Sequence, residues 1–116
     1  MGRIVALMDD LFFQMKLAET AKQLGLELKV AATPDALMPL LDPPPKLVII
    51  DLNARNQPLV AVERIRSTHN GIRVLGFLSH VQTDLAEQAQ AAGCDQVMPR
   101  SLFTRNLGSI LADAKE

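Results

Sequence analysis

The run Leu47-Val48-Ile49-Ile50 is apolar without interruption and ends on a carboxylate, Asp51. A half-exposed strand or an amphipathic helix would break such a run with polar residues, whereas a strand buried on both faces does not. Two further apolar runs also end on polar groups. Ile4-Val5-Ala6-Leu7-Met8 ends on the pair Asp9-Asp10, and Ile72-Arg73-Val74-Leu75-Gly76-Phe77-Leu78 ends on Ser79. A fourth, shorter run stops near Arg100. Strands buried on both faces belong to parallel sheets with helices above and below. In such a sheet the C-terminal ends of the strands share one edge. Three carboxylates, a hydroxyl and a guanidinium are then expected together at the edge where ligands bind in open α/β folds.

The segments between the runs read as helices. Residues 11–24 place Phe13, Leu17, Ala21 and Leu24 on one face, and Gly25 is suited to the residue after the helix end. Residues 26–31 alternate apolar and charged, the pattern of an edge strand. Thr33 and Pro34 open a short helix as cap and first residue, which the tract Asp42-Pro43-Pro44-Pro45 ends. The third strand is expected over 46–51, a helix from Pro58, and the fourth strand over 72–78. A helix from Thr83 to Ala92 stops at Gly93, a short strand covers 96–98, and the last helix begins near Thr104. Strand–helix alternation with short connections implies parallel strands and right-handed crossovers. The expected fold is a flavodoxin-like doubly wound α/β sandwich of three layers. Its five-stranded parallel sheet has the order 2-1-3-4-5 and makes one domain over residues 1–116.

Composition removes several functional classes. A net charge of −1 over 116 residues gives no nucleic-acid footprint. A single cysteine, Cys94, excludes an internal disulfide and fits a reducing compartment. No apolar run approaches the ~20 residues of a membrane span. Met1-Gly2-Arg3 runs straight into a strand, which leaves no signal peptide to expect. These points predict a cytoplasmic protein without membrane or nucleic-acid partners.

Phosphoryl transfer to a carboxylate needs a nucleophilic Asp, a Mg²⁺ ion on hard oxygen ligands, and a cation and a hydroxyl for the remaining phosphoryl oxygens. Asp51, Asp9, Asp10, Arg100 and Ser79 supply these parts. Over its whole length the chain resembles the receiver domain of bacterial response regulators. The order agrees: an acidic pair after the first strand, Asp after the third, a hydroxyl after the fourth, a basic residue after the fifth. Ala91-Ala92-Gly93-Cys94-Asp95 is similar to the family's approach to its fifth strand. The resemblance implies a stand-alone receiver of two-component or phosphorelay signalling, not an enzyme. Asp51 would accept the phosphoryl group, and Ser79 and Arg100 would contact it. Mg²⁺ would be held by Asp10, by Asp9 through water, by Asp51 and by the backbone carbonyl of Asn53. A sensor histidine kinase or phosphotransfer protein would donate the group, and a downstream protein would read it. The alternative is a pseudo-receiver, a protein-interaction module that works without phosphorylation.

Departures from the family pattern are informative. The family has Lys followed by Pro. A gap-free count from Gly93 puts Arg100 at the Lys position, while aligning Pro99 would put Met98 there at the expense of a buried strand. The count from Gly93 is the one adopted. Arg is larger than Lys and prefers bidentate pairing, so Arg100 is suited to clamping Asp51. The loop from Leu52 to Pro58 lacks glycine, and its Arg55 is within reach of the site. His80 is bulky where the family has a small residue and is expected to narrow access to Asp51. Val97 replaces the family's switch aromatic. Ser79 is also a candidate helix cap. Cys94 is expected in the core and His69 at the surface. Phe12 and Phe13 are read as core and lid packing, and Met15, Met38 and Met98 as core filler. Arg64, Arg66 and Arg73 are read as solvated. A nucleotide binder on the same frame would need a glycine-rich loop after the first strand, where Asp9-Asp10-Leu11-Phe12 stands instead.

Overall fold

A computed structural model describes residues 2–79 and 82–115. Its strands are β1 (Arg3–Leu7), β2 (Glu27–Ala31), β3 (Leu47–Asp51), β4 (Val74–Leu78) and β5 (Gln96–Pro99). They form one sheet of order β2-β1-β3-β4-β5, and each neighbouring pair is parallel. The expected topology is the observed one. The helices are α1 (Leu11–Gln23), α2 (Pro34–Leu37) with a 3₁₀ turn over Met38–Leu41, α3 (Pro58–Thr68), α4 (Thr83–Ala92), α5 (Arg100–Arg105) and α6 (Leu107–Asp113).

The unbroken runs are explained by a core on each side of the sheet. Ile4, Ala6, Leu47, Ile49, Leu75 and Phe77 face the layer of α1, α5 and α6. Val5, Leu7, Val48, Ile50, Val74 and Leu78 face the layer of α2, α3 and α4. Successive side chains of a strand point to opposite faces, so both sets must be apolar. β2 has one neighbour and alternates exposed and half-buried residues, as an edge strand does.

Local signals hold at most boundaries. Thr33 accepts the Ala36 N–H through its hydroxyl with Pro34 as first residue. Gly25 takes a φ of 73° just after α1. The C-terminal helix departs from expectation: it starts at Arg100, directly after β5, and breaks at Asn106. Pro99 has an extended backbone (φ −62°, ψ 147°) and serves as both strand end and helix cap. The helix therefore needs no intervening loop.

Arg66 also departs from a solvated role. Its guanidinium donates to the carbonyls of Gly93, Asn70 and Ile72 and to the Asp95 carboxylate. It ties the turn before β4 to the turn before β5. Gly93 makes this possible with a φ of 131°, and a Cβ there would lie 2.9 Å from the Arg66 Cβ. Gly93→Ala should therefore destabilise the fold by about 1–3 kcal/mol, the range for a strained backbone position. Urea denaturation measures this, and an unchanged midpoint would show that the tie does not hold the two turns.

Candidate functional site

The parallel register brings the polar strand ends together. Asp51 closes β3 opposite Phe77 of β4, and Asp9 and Asp10 follow β1 on the other side of β3. Asp9, Asp10, Asp51, Asn53, Arg55, Phe77, Ser79 and Arg100 line one pocket of about 250 Å³. All six residues assigned to the site from sequence lie in it. A wider groove of about 570 Å³ runs between α1 and β2, where Lys22 and Lys29 are the charged lining residues. It holds no carboxylate and no hydroxyl.

Each carboxylate has a different partner. Asp51 is only 6% exposed and is the buried charged residue among the described residues. Its Oδ1 accepts the Asn53 N–H at 2.9 Å. The Asp9 Oδ2 accepts the Arg55 N–H at 3.0 Å, which draws the loop after β3 toward the acidic pair. Asp10 caps α1, with Oδ1 accepting the Phe13 N–H at 3.1 Å. The Asp10 Oδ2 accepts from Arg100 Nη2 at 2.7 Å.

The Arg100 clamp thus exists, on Asp10 in place of Asp51. The reason is where Arg100 stands. As first residue of α5 it reaches over the Phe13 ring (4.6 Å from guanidinium carbon to ring centroid) and beside the Phe77 ring (5.7 Å) toward the start of α1. Met98, the other candidate for this role, is buried in the core beside Phe77 and Phe103.

Burial pushes the Asp51 carboxyl above the ordinary carboxylate range. The negative charges of Asp9 and Asp10 add to this, while the Asn53 N–H and the Arg100 charge oppose it. Asp10 moves the other way, held down first by the Phe13 N–H and then by Arg100. Burial also raises the Cys94 thiol to about 11, which keeps it protonated and unreactive.

Asn53 plays a part that its position did not announce. Its side-chain Oδ1 accepts the Ser79 N–H at 2.6 Å, and its Nδ2 donates to Gln82 Oε1 at 2.9 Å. Ser79 lies in the pocket and not at a helix start, since Gln82 precedes α4. His80 lies outside the described residues. Without glycine the loop after β3 turns through Gln57 in the left-handed region (φ 56°). Val97 is half-buried and borders an apolar cavity of about 200 Å³ with Leu78, Ala86 and Pro99. Phe12 and Met15, expected to pack inward, are 87% and 63% exposed.

The donors suit a hard divalent cation chemically, being carboxylate and amide oxygens. Among the described residues neither Asp9 Oδ1 nor Asp51 Oδ2 receives a hydrogen bond. Both oxygens of Asp10 already accept a hydrogen bond. Among the described residues, no three acidic, histidine or cysteine side chains are grouped closely enough to enclose an ion as they stand.

The two displaced carboxyls predict opposite pH behaviour. Raised in the fold, Asp51 binds its proton more tightly there than in the unfolded chain. Its penalty is absent below the ordinary carboxylate range and is fully felt above the raised value. Depressed in the fold, Asp10 contributes stability above its ordinary value and loses it as pH falls. At pH 7 without divalent ions, Asp51→Asn should raise the thermal midpoint and Asp10→Asn should lower it. Both differences should shrink as the pH is lowered through the carboxylate range. A lower midpoint for Asp51→Asn at pH 7 would contradict burial as the main influence on that group.

No protein-family model and no curated protein matches the chain. Among solved structures, it resembles a CheY-like response regulator receiver domain protein from Methanospirillum hungatei. Identity is 16% over 97% of this chain and 92% of that one, with a TM-score of 0.84. The receiver domain of NtrX from Brucella abortus gives 20% identity, 96% coverage of each chain and a TM-score of 0.80. A longer NtrX structure from the same organism gives a TM-score of 0.82 at 19% identity, and there this chain spans 26% of the other. These likenesses show that the chain has the receiver-domain fold.

Proposed function

We propose that this chain with the receiver fold is a phosphoacceptor module of two-component or phosphorelay signalling, with Asp51 as acceptor. The observation that supports this most is the pocket. It joins a buried carboxylate at the end of the central strand to two further carboxylates, a hydroxyl and a guanidinium. In the proposed reaction the unbonded Asp51 oxygen attacks the phosphorus of a phosphohistidine. The phosphorus–nitrogen bond breaks, the imidazole leaves, and an acyl phosphate forms on Asp51. The Asn53 N–H orients the attacking carboxylate through its other oxygen. The Ser79 hydroxyl is available to a phosphoryl oxygen at the pocket rim. Asp9, Asp51, the Asn53 carbonyl and, once freed, Asp10 would hold Mg²⁺, which when bound neutralises phosphoryl oxygens. The donor would be a sensor histidine kinase or phosphotransfer protein, the reader a downstream protein, and the setting the cytoplasm. Among the described residues no helix is long and apolar enough to cross a membrane.

One observation favours a second reading. The Arg100–Asp10 pair already neutralises part of the acidic site, as a pseudo-receiver that docks a partner without phosphorylation would need. Mass spectrometry after incubation with a small phosphodonor and Mg²⁺ separates the two. The phosphoacceptor reading expects one added phosphoryl group, absent in Asp51→Asn. Ser79→Ala should slow labelling by about 10²-fold, the size of losing one donor to a transferring oxygen. His80→Ala should speed it, since the alanine side chain is smaller. Labelling that survives Asp51→Asn would remove Asp51 as acceptor, and no labelling of the wild type would favour the pseudo-receiver.

A further inference from the structure

We infer that the Arg100 guanidinium, seated on the rings of Phe13 and Phe77, withholds the Asp10 carboxylate from a divalent cation, so that metal binding at this pocket requires release of Arg100. The inference rests on the metal-binding part of the proposed function and adds a regulation to it.

Four observations converge on it. Arg100 makes its ion pair with Asp10 at 2.7 Å and with no other carboxylate among the described residues. The second Asp10 oxygen is held by the Phe13 N–H. Both Asp10 oxygens therefore already accept a protein donor, whereas Asp9 and Asp51 each keep one oxygen without a protein donor among the described residues. Third, the guanidinium is restrained from a second direction. It lies 4.6 Å from the Phe13 centroid and 5.7 Å from that of Phe77. A planar guanidinium can stack on a ring and donate to a carboxylate together. Fourth, the seat is itself fixed. Phe13 packs on Phe77 and Phe103 at centroid distances of 5.2 and 5.8 Å, and Phe77 stacks on Phe103 at 4.8 Å. Phe13 thus positions both partners, Asp10 through its N–H and Arg100 through its ring.

A Lys at this position would be a compact, strongly hydrated charge with a weaker hold on the rings. The Arg pair is about a third exposed on each side, so its strength is moderate. Competition by an exposed pair and one cation–π contact corresponds to about a tenfold change in cation affinity.

The test is calorimetric titration of the full chain with MgCl₂, checked by the shift in thermal midpoint. Arg100→Gln should bind Mg²⁺ about tenfold more tightly than wild type. Phe13→Leu changes no charge and should tighten binding by a smaller factor, through loosening of the seat alone. It also carries the test if Arg100→Gln fails to fold. Arg55→Gln removes the other cation lining the pocket without breaking an ion pair among the described residues, and should change affinity little. Equal, measurable binding by wild type, Arg100→Gln and Phe13→Leu would overturn the inference and leave the metal site standing. A gain in Arg55→Gln as large as in Arg100→Gln would reduce the effect to net charge and also overturn it. No binding by any variant would overturn the inference together with the metal-dependent part of the proposed function.

Discussion

The central constraint is a carboxylate buried at the end of a strand that is itself buried on both faces. Leu47 to Ile50 are fully enclosed, and Asp51 inherits their position with 6% exposure. A charge there loses most of its hydration and must be compensated by the protein or neutralised. Among the described residues, the compensation is one backbone N–H from Asn53 and the field of Arg100, which pairs elsewhere. Two like charges, Asp9 and Asp10, face the same pocket. Such an arrangement does not maximise stability. It holds a carboxylate under-neutralised, which a globular domain sustains because both cores flanking the sheet are filled without interruption.

Most of the frame was legible in the sequence, since it is written in periodicity and punctuation. Unbroken runs gave the central strands, the alternating run gave β2 at the edge, and Thr33-Pro34, Gly25 and Gly93 marked helix ends through local backbone chemistry. The pocket lining was legible for a topological reason: parallel strands present their ends on one side. Less legible were contacts whose acceptors are backbone carbonyls. Nothing in the residue types around Arg66 announces that Gly93, Asn70 and Ile72 offer theirs to it. The start of α5 was missed because Pro99 both ends β5 and caps the helix, so no loop signal separates them. Phe12 and Met15 are apolar but point outward, since the core-facing positions of α1 are taken by Phe13, Leu17 and Ala21.

Aromatic scarcity gives the Phe cluster its meaning. The chain has four Phe and neither Trp nor Tyr, and Phe13, Phe77 and Phe103 pack on one another beside the acidic pocket. They come from α1, β4 and α5, so the cluster joins three elements at the polar edge of the sheet. A purely aliphatic packing would fill the same volume. It would not present a ring face to the guanidinium, which prefers the negative face of a π-system. The same residues therefore close one core and fix the position of a charge above it.

The contact between Asp51 and the start of α4 runs through small polar groups. The shortest route is Asn53. Its backbone N–H bonds Asp51, its carboxamide oxygen accepts the Ser79 N–H, and its carboxamide nitrogen donates to Gln82. One residue thus hydrogen-bonds Asp51, the Ser79 backbone after β4 and the residue preceding α4. These three bonds make one continuous hydrogen-bonded chain from Asp51 to the residue preceding α4. Any energetic coupling along that chain is reciprocal, because linkage is symmetric in free energy.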